Sequence, residues 1–138
     1  MSEHVLEVKN LTKVFGHHVA VSDVSFNIAR GEALGLVGES GSGKITIARL
    51  VVGLEQPTSG SIHLAGAQDA SPLQRARSVQ MVFQDPYVSL DPRLPADKVL
   101  DQVLKLHGLN SGKGRRTRVG ELLDQVNLSE REGRALPR

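Results

Sequence analysis

Gly38-Glu39-Ser40-Gly41-Ser42-Gly43-Lys44-Ile45-Thr46 is the stretch on which the reading of this chain turns. An apolar run, Ala33 to Val37, precedes it, and an amphipathic stretch, Ile45 to Val52, follows it. That context predicts a strand, a glycine-rich loop and a helix, the arrangement that cradles phosphate. Glycine reaches backbone angles closed to residues with a Cβ, so successive N–H groups can turn inward around an anion. A helix opening near Gly43 aims its unpaired N–H groups and the positive end of its dipole at the same place. Lys44 adds a full charge. A hydrogen bond to a charged group contributes roughly 1.5–3 kcal/mol, so the loop and Lys44 together suit a di- or triphosphate.

One position departs from the pattern. A phosphate loop carries Ser or Thr directly after the lysine, because that hydroxyl binds Mg²⁺. This chain has Ile45, which has no oxygen to offer. The hydroxyl of Thr46 lies one residue on, about 100° around a helix, and is expected to miss the metal.

Composition narrows the class. The chain has 138 residues, one domain's worth, able to bury roughly two-thirds of its unfolded surface. Its 39% hydrophobic and 23% charged content is that of a globular protein. Seventeen basic against 15 acidic residues, a net charge of +2, is too even to argue for a nucleic-acid partner. With no cysteine there is no disulfide and no thiolate metal site. No run approaches the ~20 apolar residues of a membrane span, and the polar start Ser2-Glu3-His4 does not resemble a signal peptide. A membrane role would come through a partner.

Upstream of the loop, Leu6 and Val8 alternate with Glu7 and Lys9, which predicts a half-buried strand over Val5 to Val14. Gly16-His17-His18 reads as a turn, Val19 to Val21 as a short second strand, and Val24, Phe26 and Ile28 as a third. Ala29-Arg30-Gly31 turns the chain into Ala33–Val37, whose unbroken apolar character suits a parallel strand buried on both faces. Phe15 is either a strand-end aromatic or a stacking platform for a purine ring. The five histidines show no metal-ligand spacing.

Downstream, Gly53 is the expected C-cap of the helix, and Gln56 to Gly60 a turn before a short strand, Ser61 to Leu64. Ser71-Pro72 opens a small helical turn with Arg75 and Arg77 solvated. Val79 to Phe83 reads as another apolar strand ending at Gln84-Asp85-Pro86. A polar side chain at the end of a buried parallel strand is where open α/β sheets bind ligands, so Gln84 either faces the nucleotide or is a solvated loop residue. Tyr87 to Arg93 is irregular. From Ala96 the period becomes helical, with Val99, Leu100, Val103 and Leu104 on one face and Asp101 four residues before Lys105. Gly108 to Gly114 reads as a linker, and Arg115, Arg116 and Arg118 as a solvated helix start. Val119, Leu122, Leu123 and Val126 make a second stripe, and Glu130 to Arg138 shows no period.

Taken together these residues resemble the ATP-binding subunit of an ABC transporter. The resemblance rests on Leu11 to Gly16, Gly38 to Thr46, Ser59-Gly60-Ser61-Ile62 and Met81 to Pro86; Tyr87 to Arg93 is similar to the oligopeptide/dipeptide importer branch. It implies an α/β P-loop NTPase fold, seen in its N-terminal portion: an antiparallel β subdomain, a partial RecA-like core and the start of a helical subdomain. The division it suggests is a nucleotide-binding core over 1–86 and a partial helical subdomain over 87–138. It implies that Phe15 stacks on adenine, that Gly38, Glu39, Ser40, Gly41, Ser42, Gly43, Lys44, Ile45 and Thr46 form the phosphate cradle, and that Gln84 senses Mg²⁺ and the attacking water. The cofactors it implies are ATP and Mg²⁺. The implied partners are membrane-spanning transporter subunits and a second ATP-binding subunit, as homo- or heterodimer, with no nucleic acid. The implied location is peripheral, on the cytoplasmic face of the inner or plasma membrane.

The family's Leu-Ser-Gly-Gly-Gln signature, catalytic glutamate and switch histidine would follow Arg138. Two functional expectations result. One is a subunit that energises peptide import by binding and hydrolysing ATP. The other is a truncated, non-hydrolysing nucleotide-binding or docking fragment with an impaired Mg²⁺ site. In both, ATPase activity is implied by the family, and this chain alone is expected to be inactive.

Overall fold

The computed structural model of the chain describes residues 4–66, 71–85 and 89–137. Tyr87, Val88 and the expected 86/87 division lie outside them. The elements are β1 (His4–Phe15), β2 (His18–Ala29), α1 (Lys44–Val52), β3 (Ser59–Leu64), α2 (Pro72–Ser78), α3 (Ala96–Leu106), α4 (Gly112–Gln125) and α5 (Glu130–Gly133). They fall into two compact units, Met1–Val82 and Phe83–Arg138.

In the first unit the strands form one antiparallel sheet in the order β2-β1-β3. The alternation of β1 buries Leu6 and Val8 and leaves Lys9 exposed. Strict alternation would then place Leu11 on the wrong face, because a shift of one residue reverses every side chain. Asn10 prevents this. It adopts a left-handed φ of 47° at an irregularity between Val8 and Leu11, and Leu11 ends fully buried.

A matching irregularity explains why β2 reads as two strands in the sequence and is one in the structure. Asp23, at φ 49°, interrupts the period without ending the strand. Asn10 Nδ2 donates to Asp23 Oδ1 at 2.8 Å, the Asn10 amide to Ser25 Oγ at 2.8 Å, and the Asp23 amide to Thr12 Oγ1 at 3.0 Å. The two irregular positions thus satisfy each other's polar groups across the ladder.

Helix α1 packs Ile47 and Leu50 against this sheet, joining Leu6, Val8, Leu11, Val21 and Leu64 in one core. Gly53 caps it as expected, with a φ of 83° and its N–H directed at the Arg49 and Leu50 carbonyls. Arg75, expected to be solvated, is half-buried instead. Its Nη2 donates to the Val51 carbonyl at 2.7 Å, placing a cation against the negative end of the α1 dipole. The Ser71/Gln74 capping box fixes α2, and so the position from which Arg75 reaches α1. Arg75→Met, which keeps the stem and removes the donors, is expected to destabilise this unit by about 1–2 kcal/mol in denaturant titration.

Two expected strands are corrected. Residues 33–37 and 79–83 form no ladder with any described residue. Leu34 and Leu36 remain 42% and 43% exposed, and Val37 and Val82 almost wholly so. An apolar parallel strand needs a hydrogen-bonded neighbour and cover on both faces, and the described residues supply neither. Instead an apolar cavity of about 340 Å³ is bordered by Leu34, Leu36, Ile47, Val51, Val79 and Met81.

The second unit centres on Leu104, Val119 and Leu123, with Leu100 and Leu122 packed against them. Val103 and Val126, expected on the apolar faces, are 47% and 63% exposed, because three short helices cover only a narrow stripe. Asp101 pairs with Arg115 of α4 at 2.5 Å rather than with Lys105, so Arg115 is not a merely solvated residue. The expected linker is shorter than its glycines suggest, since α4 begins at Gly112. The tail, which shows no period in the sequence, contains α5, which is held by a Ser129/Glu132 capping box. The Ser129 hydroxyl and amide hold the Glu132 carboxyl below its ordinary range.

Candidate functional site: a phosphate-binding loop

The loop enters α1 through Gly43, which occupies the N-cap with a φ of 91°. No side chain caps this end, and the first turn contains no acidic residue. Its amides are therefore left for an anion from outside, as a phosphate site requires. Gly41 also has a positive φ, at 80°, and the amide of Ser42 donates to the Glu39 carbonyl at 3.2 Å, which closes the turn between them.

Lys44 folds back over the loop it follows. Its Nζ donates to the Gly38 carbonyl at 2.6 Å, the Glu39 carbonyl at 2.5 Å and Ser42 Oγ at 3.0 Å. A Cβ on Gly38 would come within 2.6 Å of Ser42 Oγ and 3.8 Å of Lys44 Nζ, so the lysine lies close over the backbone. The structure thus brings Gly38, Glu39 and Ser42 together around the Lys44 ammonium, with Gly43 at the N-cap beside them. Ser40 and Gly41 complete the loop and are exposed. The arrangement presents backbone amides, a helix N-terminus and a movable cation to solvent.

The residues do not fit the expected Mg²⁺. Ile45 is 64% exposed at the start of α1 and contributes no donor atom. Ser42 Oγ already accepts from Lys44. Thr46 is half-buried one position on. Among the described residues no group of three or more His, Cys, Asp or Glu is placed to hold a metal ion.

Phe15, at the end of β1, is 44% exposed. A residue that sequence reasoning missed stands beside it: Lys13, two positions earlier on the same strand, holds its Nζ 4.7 Å from the ring centroid. The spacing of two was the available signal, since it puts both side chains on one face. Gln84 is exposed at a bend in the second unit.

The chain matches the family model described as ABC transporter over residues 21–138. It is 39% identical over 148 residues to the oligopeptide transport ATP-binding protein OppF of Bacillus subtilis (strain 168), covering 99% of this chain and 48% of that protein. It is 41% identical over 133 residues to a putative peptide import ATP-binding protein of Brucella ovis, covering 90% of this chain and 42% of that one. The chain therefore spans about half the length of the curated relatives it matches. Among solved structures it resembles the ATP-binding cassette MJ0796 in a dimeric post-hydrolysis state bound to ADP and Pi, with a TM-score of 0.75 and 30% identity over 96% of this chain and 61% of that one. The ATP-binding subunit of another ABC transporter superposes with a TM-score of 0.77 at 29% identity, over 96% of this chain and 54% of that one.

Proposed function

The chain belongs to the ABC transporter family, of the peptide-import ATP-binding type, and on that premise we propose that it binds ATP as the nucleotide-binding part of an oligopeptide or dipeptide importer. The observation that carries the reading is Lys44 folded over its own loop at the uncapped start of α1. A triphosphate entering there takes up the Lys44 ammonium and the first-turn amides, and Phe15 receives the adenine. Energising transport, in this reading, is work shared with membrane-spanning subunits and a second ATP-binding subunit. In this reading the protein sits peripherally at the cytoplasmic face of the membrane. Gln84 remains the proposed contact to the nucleotide's reacting end.

A second reading is favoured by Ile45: a module that holds nucleotide or docks without hydrolysing it. Hydrolysis needs neutralisation of charge on the transferred phosphoryl group, and Ile45, at the position directly after the lysine, offers no oxygen ligand for a metal that would supply it. No catalytic step is therefore assigned to this chain. Calorimetric titration of ATP, with Mg²⁺ and then with EDTA, tests both readings. Binding of similar strength in the two buffers is expected. Absence of binding in both would overturn the nucleotide reading. Ile45→Ser, at an exposed position, is expected to make ATP bind several-fold more tightly with Mg²⁺ than with EDTA; an unchanged ratio would show that Ile45 does not limit the metal. Co-expression with a candidate membrane subunit, followed by pull-down, tests the docking.

A further inference from the structure

Lys13 has three partners and one consequence. Its Nζ donates to the Gln56 carbonyl at 2.7 Å, pairs with Glu55 Oε2 at 3.3 Å, and lies 4.7 Å from the centroid of the Phe15 ring. An ammonium has three protons, and these three partners account for them. The side chain is only 14% exposed, which is unusual for lysine at a strand end and reflects this full set of contacts.

The Glu55–Gln56 segment that holds Lys13 is itself fastened to β1. The Thr58 amide donates to the Thr12 carbonyl at 2.9 Å, and the Val14 amide donates to Thr58 Oγ1 at 3.0 Å. The turn after α1 therefore clamps the ammonium from one side, and the ammonium meets the ring on the other. A cation within about 6 Å of an aromatic face is attracted to the negative face of the ring quadrupole. One face of Phe15 is occupied in this way, while 44% of the residue stays exposed.

From this geometry we infer that Lys13 is a positioning residue for base recognition: it fixes the Phe15 ring as a one-sided platform, and the purine stacks on the face turned away from the ammonium. The inference rests on the reading of Phe15 as the adenine platform. A held ring loses less conformational entropy when a base stacks on it. A cation on the near face also draws π density toward itself and lessens repulsion between the far face and the purine's own π cloud. Lys13 acts through Phe15 and has no role at the phosphates.

Two ligands separate these roles: ATP, and inorganic tripolyphosphate, which has the same kind of charge and no base. Both are titrated in EDTA into the wild-type chain, Lys13→Met and Lys13→Arg. Methionine keeps the packing of the stem and removes the charge. Lys13→Met is expected to weaken ATP about three- to fivefold and to leave tripolyphosphate unchanged. Lys13→Arg, whose guanidinium can lie against the same ring, is expected to restore most of the ATP affinity. Equal weakening of both ligands in Lys13→Met would overturn the inference, since it would mark Lys13 as a phosphate charge or a general support. So would ATP binding that is unchanged in Lys13→Met. If the wild-type chain binds ATP no more tightly than tripolyphosphate, the platform reading of Phe15 fails and the inference with it. If it binds neither, the cradle reading fails as well.

Discussion

Lys44→Ala is expected to weaken ATP binding about 10- to 100-fold and to leave the fold intact. The magnitude follows from the contact removed. A hydrogen bond from an ammonium to an anion contributes about 1.5–3 kcal/mol, and each 1.4 kcal/mol is about tenfold in affinity. The fold should survive because Lys44, half-buried at the first position of α1, contributes nothing to the core around Leu11 and Leu50. Its three hydrogen bonds to Gly38, Glu39 and Ser42 are local, and water can replace the donor at all three acceptors. The arrangement also implies an exchange: to reach a phosphate, the ammonium gives up some of the loop oxygens it now holds. Lys44→Arg should not rescue, because a planar guanidinium fork cannot reproduce a point charge that meets two carbonyls and a hydroxyl at once. Calorimetry measures the affinity and a thermal melt checks the fold. ATP binding within twofold of wild type in Lys44→Ala would mean that the loop is not where the phosphates sit. The same variant sets the background for phosphate release, which the wild-type chain alone is expected not to exceed.

What the sequence made legible was decided by local chemistry. The loop and α1 could be read because glycine and lysine spacing carries its own backbone geometry, and the structure places the start of α1 at Lys44. The Gly53 cap and the Ser71-Pro72 helix start were legible for the same reason. The misreadings arise where a remote group decides. Ala33–Val37 and Val79–Phe83 have the composition of buried parallel strands, but composition does not supply neighbours, and among the described residues they have none. Asp23 reads as a strand break until Asn10 is placed opposite it, 13 residues away in the chain. Arg75 reads as solvated until α1 ends next to it, and Asp101 reads as a partner for Lys105 until Arg115 arrives from α4. In the candidate site, the cradle residues were all named from the motif, whereas Lys13 was missed, since its meaning depends on Glu55 and Gln56 being brought back to β1.

Gly43→Ala is expected to cost about 2–5 kcal/mol of stability and, with it, most of the nucleotide binding. Two costs combine at this position. Gly43 has a φ of 91°, in the left-handed region, where a residue with a Cβ is disfavoured by about 1–2 kcal/mol. The added Cβ would also run into the carbonyl oxygen of Ala20 in β2 and would lie 3.4 Å from Val21 Cγ2. A backbone carbonyl cannot move aside like a flexible side chain, and forcing an extra carbon into a packed contact costs a further 1–3 kcal/mol or so. Relief requires either retreat of α1's first turn, which spoils the cradle, or a shift of β2 at Val21. Val21 is buried and pairs with Lys13 across the ladder, so the second route disturbs the support of Phe15. Gly41→Ala separates the two costs. Its φ is also positive, at 80°, but nothing lies within 4 Å of an added Cβ. It should lose only the backbone contribution, about 1–2 kcal/mol. Denaturant titration of both variants measures the difference. Equal losses would mean that the close approach of α1 to β2 at Ala20 does not constrain the site, and that Gly43 is needed only for its backbone angle.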